Sequence, residues 1–192
     1  LSSGNTNIRI QGLDGRYTQL LKDGFPLYGG FSSGLSILQI PPLDLQQFEI
    51  IKGSSSTLYG GGAIAGLINM VSKTPDEEPA LDIMLTQTQA LGSTANVFYS
   101  KRNEKFGVSL YGSGHSQKAY DPEDDGFSNI PKTTSVSFNP KFFYYPSEKT
   151  TFWIGLNGTY DDRIGGDITK IESGETGIHQ YSEENVSKRL SS

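Results

Sequence analysis

Hydrophobic and polar residues alternate with a period of two along the second half of the chain, which is the spacing of a β-strand with one apolar face. The alternation is clearest in three runs, at residues 106–113, 135–145 and 152–161. These runs are close to the length of a strand that crosses a membrane, about 9–11 residues. Residues 80–91 and 94–102 fit the alternation less cleanly. A soluble β-sandwich gives the same alternation, so periodicity alone leaves both architectures open.

The connections between the runs are alternately short and long. Short turns are predicted at Asn103-Glu104 and Ser147-Glu148, and long polar loops at residues 119–132 and 165–184. Short turns at one end and long loops at the other are typical of outer-membrane barrels. Aromatic residues gather beside the second short turn, as in the girdle at a membrane interface; they are Phe142, Phe143, Tyr144, Tyr145, Phe152 and Trp153. The connections therefore favour a membrane barrel, with a sixth strand starting near Glu183.

The first part of the chain consists of short apolar segments separated by turn residues. Strands are predicted at residues 7–13, 17–25, 48–52 and 66–72, and Asp23-Gly24 is a strong turn dipeptide. Pro41-Pro42 is predicted to start one helical turn, and the serines at 54–56 to cap a short helix that ends at Gly60. The pattern indicates a small α+β unit, followed by a polar, proline-bounded linker at residues 74–79.

Three motifs lie close together in this first part. Residues 41–53 read P-P-L-D-L-Q-Q-F-E-I-I-K-G, residues 57–60 read T-L-Y-G, and residues 66–73 read G-L-I-N-M-V-S-K. Together they closely resemble the end of the plug domain in TonB-dependent outer-membrane receptors, with nearly every fixed position present. Two upstream boxes of that family, which read like I-R-G and L-I-D-G, resemble residues 8–12 and 20–26.

Two residues depart from the family pattern. Gln11 precedes Gly12 where many members carry Arg, so the usual plug-to-barrel ion pair is not expected at this position. Lys22 replaces a typical apolar residue directly before Asp23. The TonB-contacting box of the family would lie upstream of Leu1.

The resemblance implies the fold class: an α+β plug domain, with a small mixed sheet and short helices, followed by antiparallel strands of an outer-membrane β-barrel. It assigns residues 1–74 to the plug and residues 80–192 to the first five to six strands of the transmembrane barrel. A barrel that closes around a plug needs about 22 strands, and the sequence has neither an initiator Met nor a signal peptide. The chain is therefore expected to be a fragment of a larger receptor.

The resemblance also implies a function, which is energy-coupled uptake of a scarce nutrient across the outer membrane of a Gram-negative bacterium. The nutrient would be an iron-siderophore, haem, cobalamin or a glycan, and the other partners would be TonB and outer-membrane lipid. The alternative is a surface-exposed binding or adhesion protein whose second half forms a soluble β-sandwich. The hypotheses differ in whether one set of apolar residues faces lipid or is buried between two sheets; the set is Val108, Leu110, Phe138, Phe142, Ile154 and Leu156.

Candidate ligand-binding residues lie in two plug loops that the resemblance directs outward, at residues 13–17 and 27–34. They are Arg16, Tyr17, Tyr28 and Phe31. Aromatic rings offer stacking faces, and Arg offers charged donors. The other motif residues, glycines included, are expected to hold the plug together. Polar strand residues are expected to face the barrel lumen and to continue the same vestibule; they are Ser109, Tyr111, Asn157 and Asp161.

Composition and charge exclude several other classes of function. The chain has 192 residues, no cysteine and a formal net charge of −5, so disulfides and thiolate metal sites are excluded. There is no basic stripe, and nucleic acid is therefore not an expected partner. Residues 53–57 do not read G-x-S-x-G, and the glycines at 60–66 lack the G-K-[ST] of a phosphate loop. Neither an enzymatic role nor a cofactor is expected.

An acidic loop is the remaining candidate for metal binding. Residues 121–126 read D-P-E-D-D-G, like the opening of a calcium loop, but Lys132 stands where the bidentate Glu is expected. A solvated loop is the alternative. His115 and His179 are the two histidines of the chain and are far apart in sequence, so surface positions are favoured over a haem or metal role. No metal site is predicted.

Overall fold

The computed structural model describes residues 10, 12–26, 42–53, 63–175, 179 and 181–191. The chain divides into two compact units, Asn5–Lys73 and Thr74–Ser192. The described parts of both units are built mainly from β-strands. Within these ranges, no helix is long and apolar enough to cross a membrane.

The first unit contains a mixed four-stranded sheet. In chain order the strands are β1 (Thr18–Lys22), β2 (Phe25–Pro26), β3 (Leu45–Lys52) and β4 (Gly66–Ser72), and a 3₁₀ turn at Gly15–Tyr17 leads into β1. Their order across the sheet is β2-β1-β4-β3. Strands β1 and β4 are parallel, whereas the other two pairs are antiparallel. The predicted pairing of residues 48–52 with residues 66–72 is confirmed.

One hydrogen-bonded network joins three of the sequence motifs. The Asp23 carboxylate accepts hydrogen bonds from the backbone N–H of Ser72 at 2.7 Å and from its hydroxyl at 2.9 Å. The Asn69 side chain accepts from the Gly24 N–H at 3.0 Å and donates to the Glu49 carboxylate at 2.8 Å. Asp23 and Gly24 both have positive φ, 52° and 83°, which is the tight hairpin geometry that Asp-Gly favours. The motif residues therefore tie β1, β3 and β4 together.

Lys22, which departs from the family pattern, has a structural role. Its ammonium group forms an ion pair with the Asp44 carboxylate at 2.9 Å. Asp44 is only 5% exposed, and a buried carboxylate without a partner is strongly destabilising. The Lys22 ammonium group on β1 therefore offsets the free-energy cost of burying the Asp44 carboxylate, which lies in the turn before β3.

An apolar cluster forms the core of the first unit. Its buried members are Ile10, Leu20, Ala65, Ile68 and Met70, with Tyr17 and Leu45 packed against them. At the start of β4, a Cβ on Gly66 would overlap the carbonyl oxygen of Ile51. The close pairing of β3 and β4 therefore requires glycine at position 66.

The helical turn predicted after Pro41 is wrong. Pro42 lies in a bend, and Leu45 already begins β3, three residues before the predicted start of that strand. Proline suits the first position of a helix, but Leu45 pairs with Ser72 of β4. This strand pairing holds Leu45 in an extended conformation. The predicted helix at residues 54–60 lies outside the described residues.

The first predicted strand does not extend to Leu13. Leu13 does not continue an extended segment, because its N–H donates to the Ile10 carbonyl at 3.0 Å and closes a tight turn. Gly12 permits this turn with a φ of 78°. Tyr17 belongs to the 3₁₀ turn rather than to β1. Residues 7–9 of the prediction lie outside the described part of the chain.

The second unit is an antiparallel sheet. Its strands are β5 (Ala80–Gln87), β6 (Gly92–Arg102), β7 (Phe106–Gln117), β8 (Lys132–Ser147), β9 (Thr150–Gly155), β10 (Asn157–Gly166) and β11 (Ser182–Ser191). They pair in the order β5-β6-β7-β8-β10-β11, and β9 pairs with β8. Gly155 lies opposite Lys141 and Gly158 opposite Phe138, which is one continuous register. Strands β9 and β10 therefore act as one long strand interrupted at Leu156.

The short turns β6–β7 and β8–β9 lie at the same end of the sheet, as predicted, because the successive strands are antiparallel. The long connections, residues 118–131 and 167–181, lie at the opposite end. The second of these is not entirely loop, since it contains the helix α1 (Ile168–Ser173). The Asp167 carboxylate caps this helix by accepting from the Lys170 N–H, and Gly174 ends it with a φ of 76°.

The two faces of this sheet differ in chemistry, and we call them the polar face and the apolar face. The polar face carries buried hydrophilic side chains, which include Asn96, Ser109, Asn139, Asp161 and Arg163. The apolar face carries large exposed side chains, which include Leu81, Ile83, Leu85, Val97, Phe138, Phe142, Phe152 and Ile154. A sandwich would bury such residues between two sheets. Phe142 and Ile154 are instead 55% and 64% exposed, and no second sheet covers them within the described ranges.

The segment that opens the second unit is attached to the sheet at the end with the short turns. Pro75 is buried over Gly107, where a Cβ would come within 2.8 Å of the Pro75 ring. The Arg102 N–H donates to the Asp76 carbonyl at 2.7 Å. The Arg102 guanidinium also lies 3.8 Å above the ring of Tyr145, which borders the same glycine. Pro75, Gly107, Arg102 and Tyr145 form what we call the Pro75 notch.

Candidate functional site

The first candidate site lies at the 3₁₀ turn of the first unit. The Asp14 carboxylate accepts from the Arg16 N–H at 3.1 Å and caps the turn. The Arg16 side chain is exposed, with its guanidinium carbon 4.8 Å from the centre of the Tyr17 ring. Tyr17 is half-buried against the core, so it has a packing role. The other two candidates, Tyr28 and Phe31, lie outside the described residues, and their role stays a prediction.

A second candidate site is a buried ion pair on the polar face. Arg163 donates to Asp161 through Nε at 2.7 Å and through a terminal nitrogen at 3.3 Å. The two residues are two apart on β10 and therefore share one face of the strand. They are only 7% and 3% exposed. Asp161 is among the residues that the sequence predicts on a polar face. Arg163 is not, although its i, i+2 spacing from Asp161 is visible in the chain.

Further polar contacts join neighbouring strands on the same face. The Tyr111 hydroxyl donates to Asn96 at 2.7 Å, and the Thr94 hydroxyl is hydrogen-bonded to His115 Nδ1 at 2.8 Å. Asn139 is buried, and neither its amide oxygen nor its amide nitrogen has a hydrogen-bond partner among the described residues. Ser109, Tyr111, Asn157 and Asp161 share this polar face by register. That the face lines a barrel lumen stays a prediction. The face offers hydroxyl, amide and charged groups to a polar ligand.

The long connections form an ordered cluster at the other end of the sheet from the short turns. The buried Asp167 carboxylate accepts from the backbone N–H of Lys170 at 2.9 Å and of His179 at 2.7 Å. The pKa of Asp167 is lowered from its ordinary value chiefly by the Lys170 N–H, and burial acts in the opposite direction. Phe127 packs edge-on against His179 and stacks on Tyr181. Sequence spacing gave no signal for this aromatic cluster, because Phe127 lies about fifty residues before His179 and Tyr181.

The acidic loop uses its carboxylates to hold its own backbone. Asp121 accepts from the N–H groups of Glu123 at 3.1 Å and Gly126 at 2.8 Å, and Asp125 accepts from the Phe127 N–H at 2.9 Å. In the part of the chain that the structure describes, no group of three or more His, Asp or Glu side chains could hold a metal ion. The geometry gives the calcium hypothesis no support.

Comparisons with known proteins agree with this architecture. The family model "TonB-dependent Receptor Plug Domain" matches residues 2–67. The iron-regulated outer membrane virulence protein of Vibrio cholerae is 29% identical over 138 residues, which are 65% of this chain and 21% of that protein. The vitamin B12 transporter BtuB of Photobacterium profundum is 23% identical over 176 residues, which are 88% of this chain and 29% of that protein. The chain thus spans about a fifth to three tenths of the length of these relatives.

A solved structure shows the same fold. The pyoverdine outer membrane receptor FpvA of Pseudomonas aeruginosa, bound to pyoverdine, has a TM-score of 0.66 at 16% sequence identity, over 86% of this chain and 24% of that chain. This likeness confirms the predicted fold class. The Vibrio cholerae relative and this structure are named as proteins of the outer membrane, which agrees with the expected localisation, and neither they nor the vitamin B12 transporter is named as an enzyme. Taken with the plug motifs, the mixed sheet that they hold together and the two-faced sheet that follows, these matches show that residues 2–67 are similar to the plug domain of TonB-dependent receptors and that the chain has the fold of an outer-membrane receptor of this kind.

Proposed function

We propose that the full-length protein takes up a scarce nutrient across the outer membrane, with energy delivered through TonB. The nutrient is an iron-siderophore, haem, cobalamin or a glycan. In this proposal residues 1–74 form the plug domain and residues 80–192 the first five to six strands of the barrel. The observation that carries the proposal is the combination of a plug match at residues 2–67 with a following sheet that is polar on one face and exposed and apolar on the other.

The chemistry of the two faces supports transport rather than adhesion. The exposed apolar side chains across the middle of the apolar face suit contact with lipid, in which such side chains are not penalised. Buried hydroxyl, amide and charged groups on the polar face suit a wet interior. The names of the relatives support a small-molecule cargo, since one is iron-regulated, one is a vitamin B12 transporter and one is a pyoverdine receptor.

We place ligand contact in the plug loops at Arg16, Tyr17, Tyr28 and Phe31. Arg16 supports this placement, because it is exposed and its nearest aromatic contact leaves the guanidinium available to an anionic or aromatic ligand. Tyr17 contributes a ring edge while it packs on the core.

The test is a binding and uptake experiment with the full-length receptor. A panel of ferric siderophores, haem, cobalamin and glycans is first titrated against the purified protein, and uptake of the binder is compared in cells with and without TonB. Replacing Arg16, Tyr17, Tyr28 and Phe31 together with Ala should weaken binding by more than about tenfold, or about 1.4 kcal/mol. A second variant that keeps Tyr17 separates lost ligand contact from lost packing. Uptake that does not require TonB would overturn the proposal, and unchanged affinity would assign the ligand to barrel loops.

A further inference from the structure

The apolar face of the second unit has a recess near the end that carries the long connections. Its volume is about 530 Å³, within the range of roughly 300–1,000 Å³ for small-molecule pockets. Four residues that lie side by side on neighbouring strands form its centre: Leu85 lies opposite Ala95, Ala95 opposite Gly114, and Gly114 opposite Val136. Leu85 and Val136 form the two walls, while Ala95 and Gly114 form the floor.

Small residues keep the recess open. A Cβ placed on Gly112 or on Gly114 meets no atom within 4 Å, so both glycines face free space. The next row toward the middle of the sheet is Ile83, Val97, Gly112 and Phe138, which closes that end with apolar side chains. The next row toward the long connections is Gln87, Ser93, Ser116 and Thr134, which is hydrophilic. The recess is thus apolar toward the middle of the sheet and polar toward the long connections.

Two lysines stand just beyond the polar row. Lys132 is the first residue of β8 and follows the alternation of Thr134 and Val136, so it belongs to the apolar face. Lys118 directly follows β7, beside Ser116 in the same alternation. Both side chains are exposed, and among the described residues neither ammonium group has an ion-pair partner. A pair of free cations at the mouth of an apolar recess complements an amphiphile with an anionic head.

Other charged groups on this face leave the balance positive. Asp162 lies opposite Thr134, and one of its oxygens accepts from the Tyr160 hydroxyl at 3.4 Å. Lys188 lies opposite Tyr160, with its ammonium nitrogen 5.7 Å from the centre of that ring. Glu184 lies further out on β11, opposite Ile164. At the end of the face that carries the long connections, three lysines therefore face two carboxylates, while Lys101 lies at its other end. The two lysines nearest to the recess are the unpaired ones.

We propose that the recess seats an acyl chain of a phosphate-bearing lipid, with its headgroup held by Lys118 and Lys132. The apolar walls and glycine floor bind the hydrocarbon, and the lysines act as point charges on the phosphate. The leaflet concerned is the one on the side of the long connections. The inference rests on the proposed outer-membrane placement, and it adds a specific lipid site to a surface that otherwise makes general contact with lipid.

The first test uses the full-length protein in nanodiscs that contain equal amounts of phosphatidylglycerol and phosphatidylcholine, followed by native mass spectrometry of the lipids that remain bound. The wild type should retain phosphatidylglycerol in clear preference. Because each lysine near an anionic lipid contributes several-fold to affinity, Lys118→Gln with Lys132→Gln should lower this retention about tenfold or more. The matched control removes two lysines at the opposite end of the sheet, Lys101→Gln with Lys149→Gln, and should retain lipid as the wild type does.

A second pair of variants tests the recess itself. Gly114→Leu fills the floor and should abolish retention, whereas Gly158→Leu adds the same side chain to the same face outside the recess, where a Cβ meets ordinary contact distances, and should not. Equal retention of both lipids by the wild type, or unchanged retention in the lysine or Gly114 variants, would overturn the proposal. Nutrient binding by the same samples is measured in parallel, so that a failure of the lipid site is distinguished from a failure of the proposed transport function.

Discussion

At the scale of single residues, most of the motif positions act as structural ties between strands. Asp23, Asn69 and Ser72 come from two separate motifs, yet their side chains complete one network across the first sheet. Lys22 also joins two segments, although it departs from the plug motif pattern, because its ammonium group neutralises the buried Asp44 carboxylate. A ligand role is therefore better sought in exposed residues such as Arg16 than in the motif residues themselves.

Replacing Lys22 with Met should destabilise the first unit by about 2–3 kcal/mol. Loss of one partner of a buried pair costs about 3–5 kcal/mol, and the expected value is lower because the Lys22 side chain is 17% exposed. The readout is hydrogen-exchange protection of the β1 and β4 amides in the full-length protein. The double variant Lys22→Met, Asp44→Asn should recover most of the protection, because no buried charge is then left unpaired. Equal losses in the single and double variants would show that the ion pair contributes nothing.

At the scale of elements, register decides where strands begin and end. Strand β3 begins at Leu45, three residues before its apolar run, because β4 provides hydrogen-bonding partners as far as Ser72. Strands β9 and β10 keep one register across the break at Leu156. The opening segment of the second unit, which reads as a polar linker, is held in the Pro75 notch by a ring contact and a backbone hydrogen bond.

Gly107→Val should loosen the Pro75 notch. A Cβ at this position comes within 2.8 Å of the Pro75 ring and 3.3 Å of the Tyr145 ring, and overpacking of this kind costs about 1–3 kcal/mol. We expect a lower unfolding midpoint and faster trypsin cleavage after Lys73 in the full-length protein. Gly112→Val is the matched control, because a Cβ there meets open space. If both variants behave as the wild type, the notch does not restrain this segment.

At the scale of the whole molecule, the two faces of the second sheet differ in chemistry, and this difference indicates which surroundings each face suits. The apolar face exposes side chains that a protein in water would cover, and the polar face buries an ion pair and several amides. A sheet of this kind suits a wall between lipid and a wet interior.

Neighbouring positions on β8 test this assignment. Phe138 lies on the apolar face in the middle of the strand, and Ser137 lies on the polar face. Phe138→Arg should destabilise the protein in lipid vesicles by about 2–4 kcal/mol, as Arg does in the middle of a membrane strand, whereas Ser137→Arg should cost less. Unfolding of the full-length protein by urea in vesicles gives both values. A neutral or stabilising effect of Phe138→Arg would mean that this face contacts water.

The sequence by itself predicted the resemblance to the plug of TonB-dependent receptors, the strands with clear two-residue alternation, the short turns at one end and the polar and apolar faces, because these depend on local pattern and on motifs that are contiguous in the chain. Only the tertiary structure decided the partner of Lys22, the pairing of Arg163 with Asp161, the aromatic cluster of Phe127, His179 and Tyr181, and the recess over Gly114. Strand pairing with β4 set the start of β3 at Leu45, and a tight turn ended the first predicted strand before Leu13, in both cases against the local pattern. The physical reason is that most of these features bring together residues that are far apart in the chain, and their meeting depends on strand register and on loop packing, which are set by the whole sheet. The Asp161–Arg163 pair lies within one strand, and there the tertiary structure decided its burial.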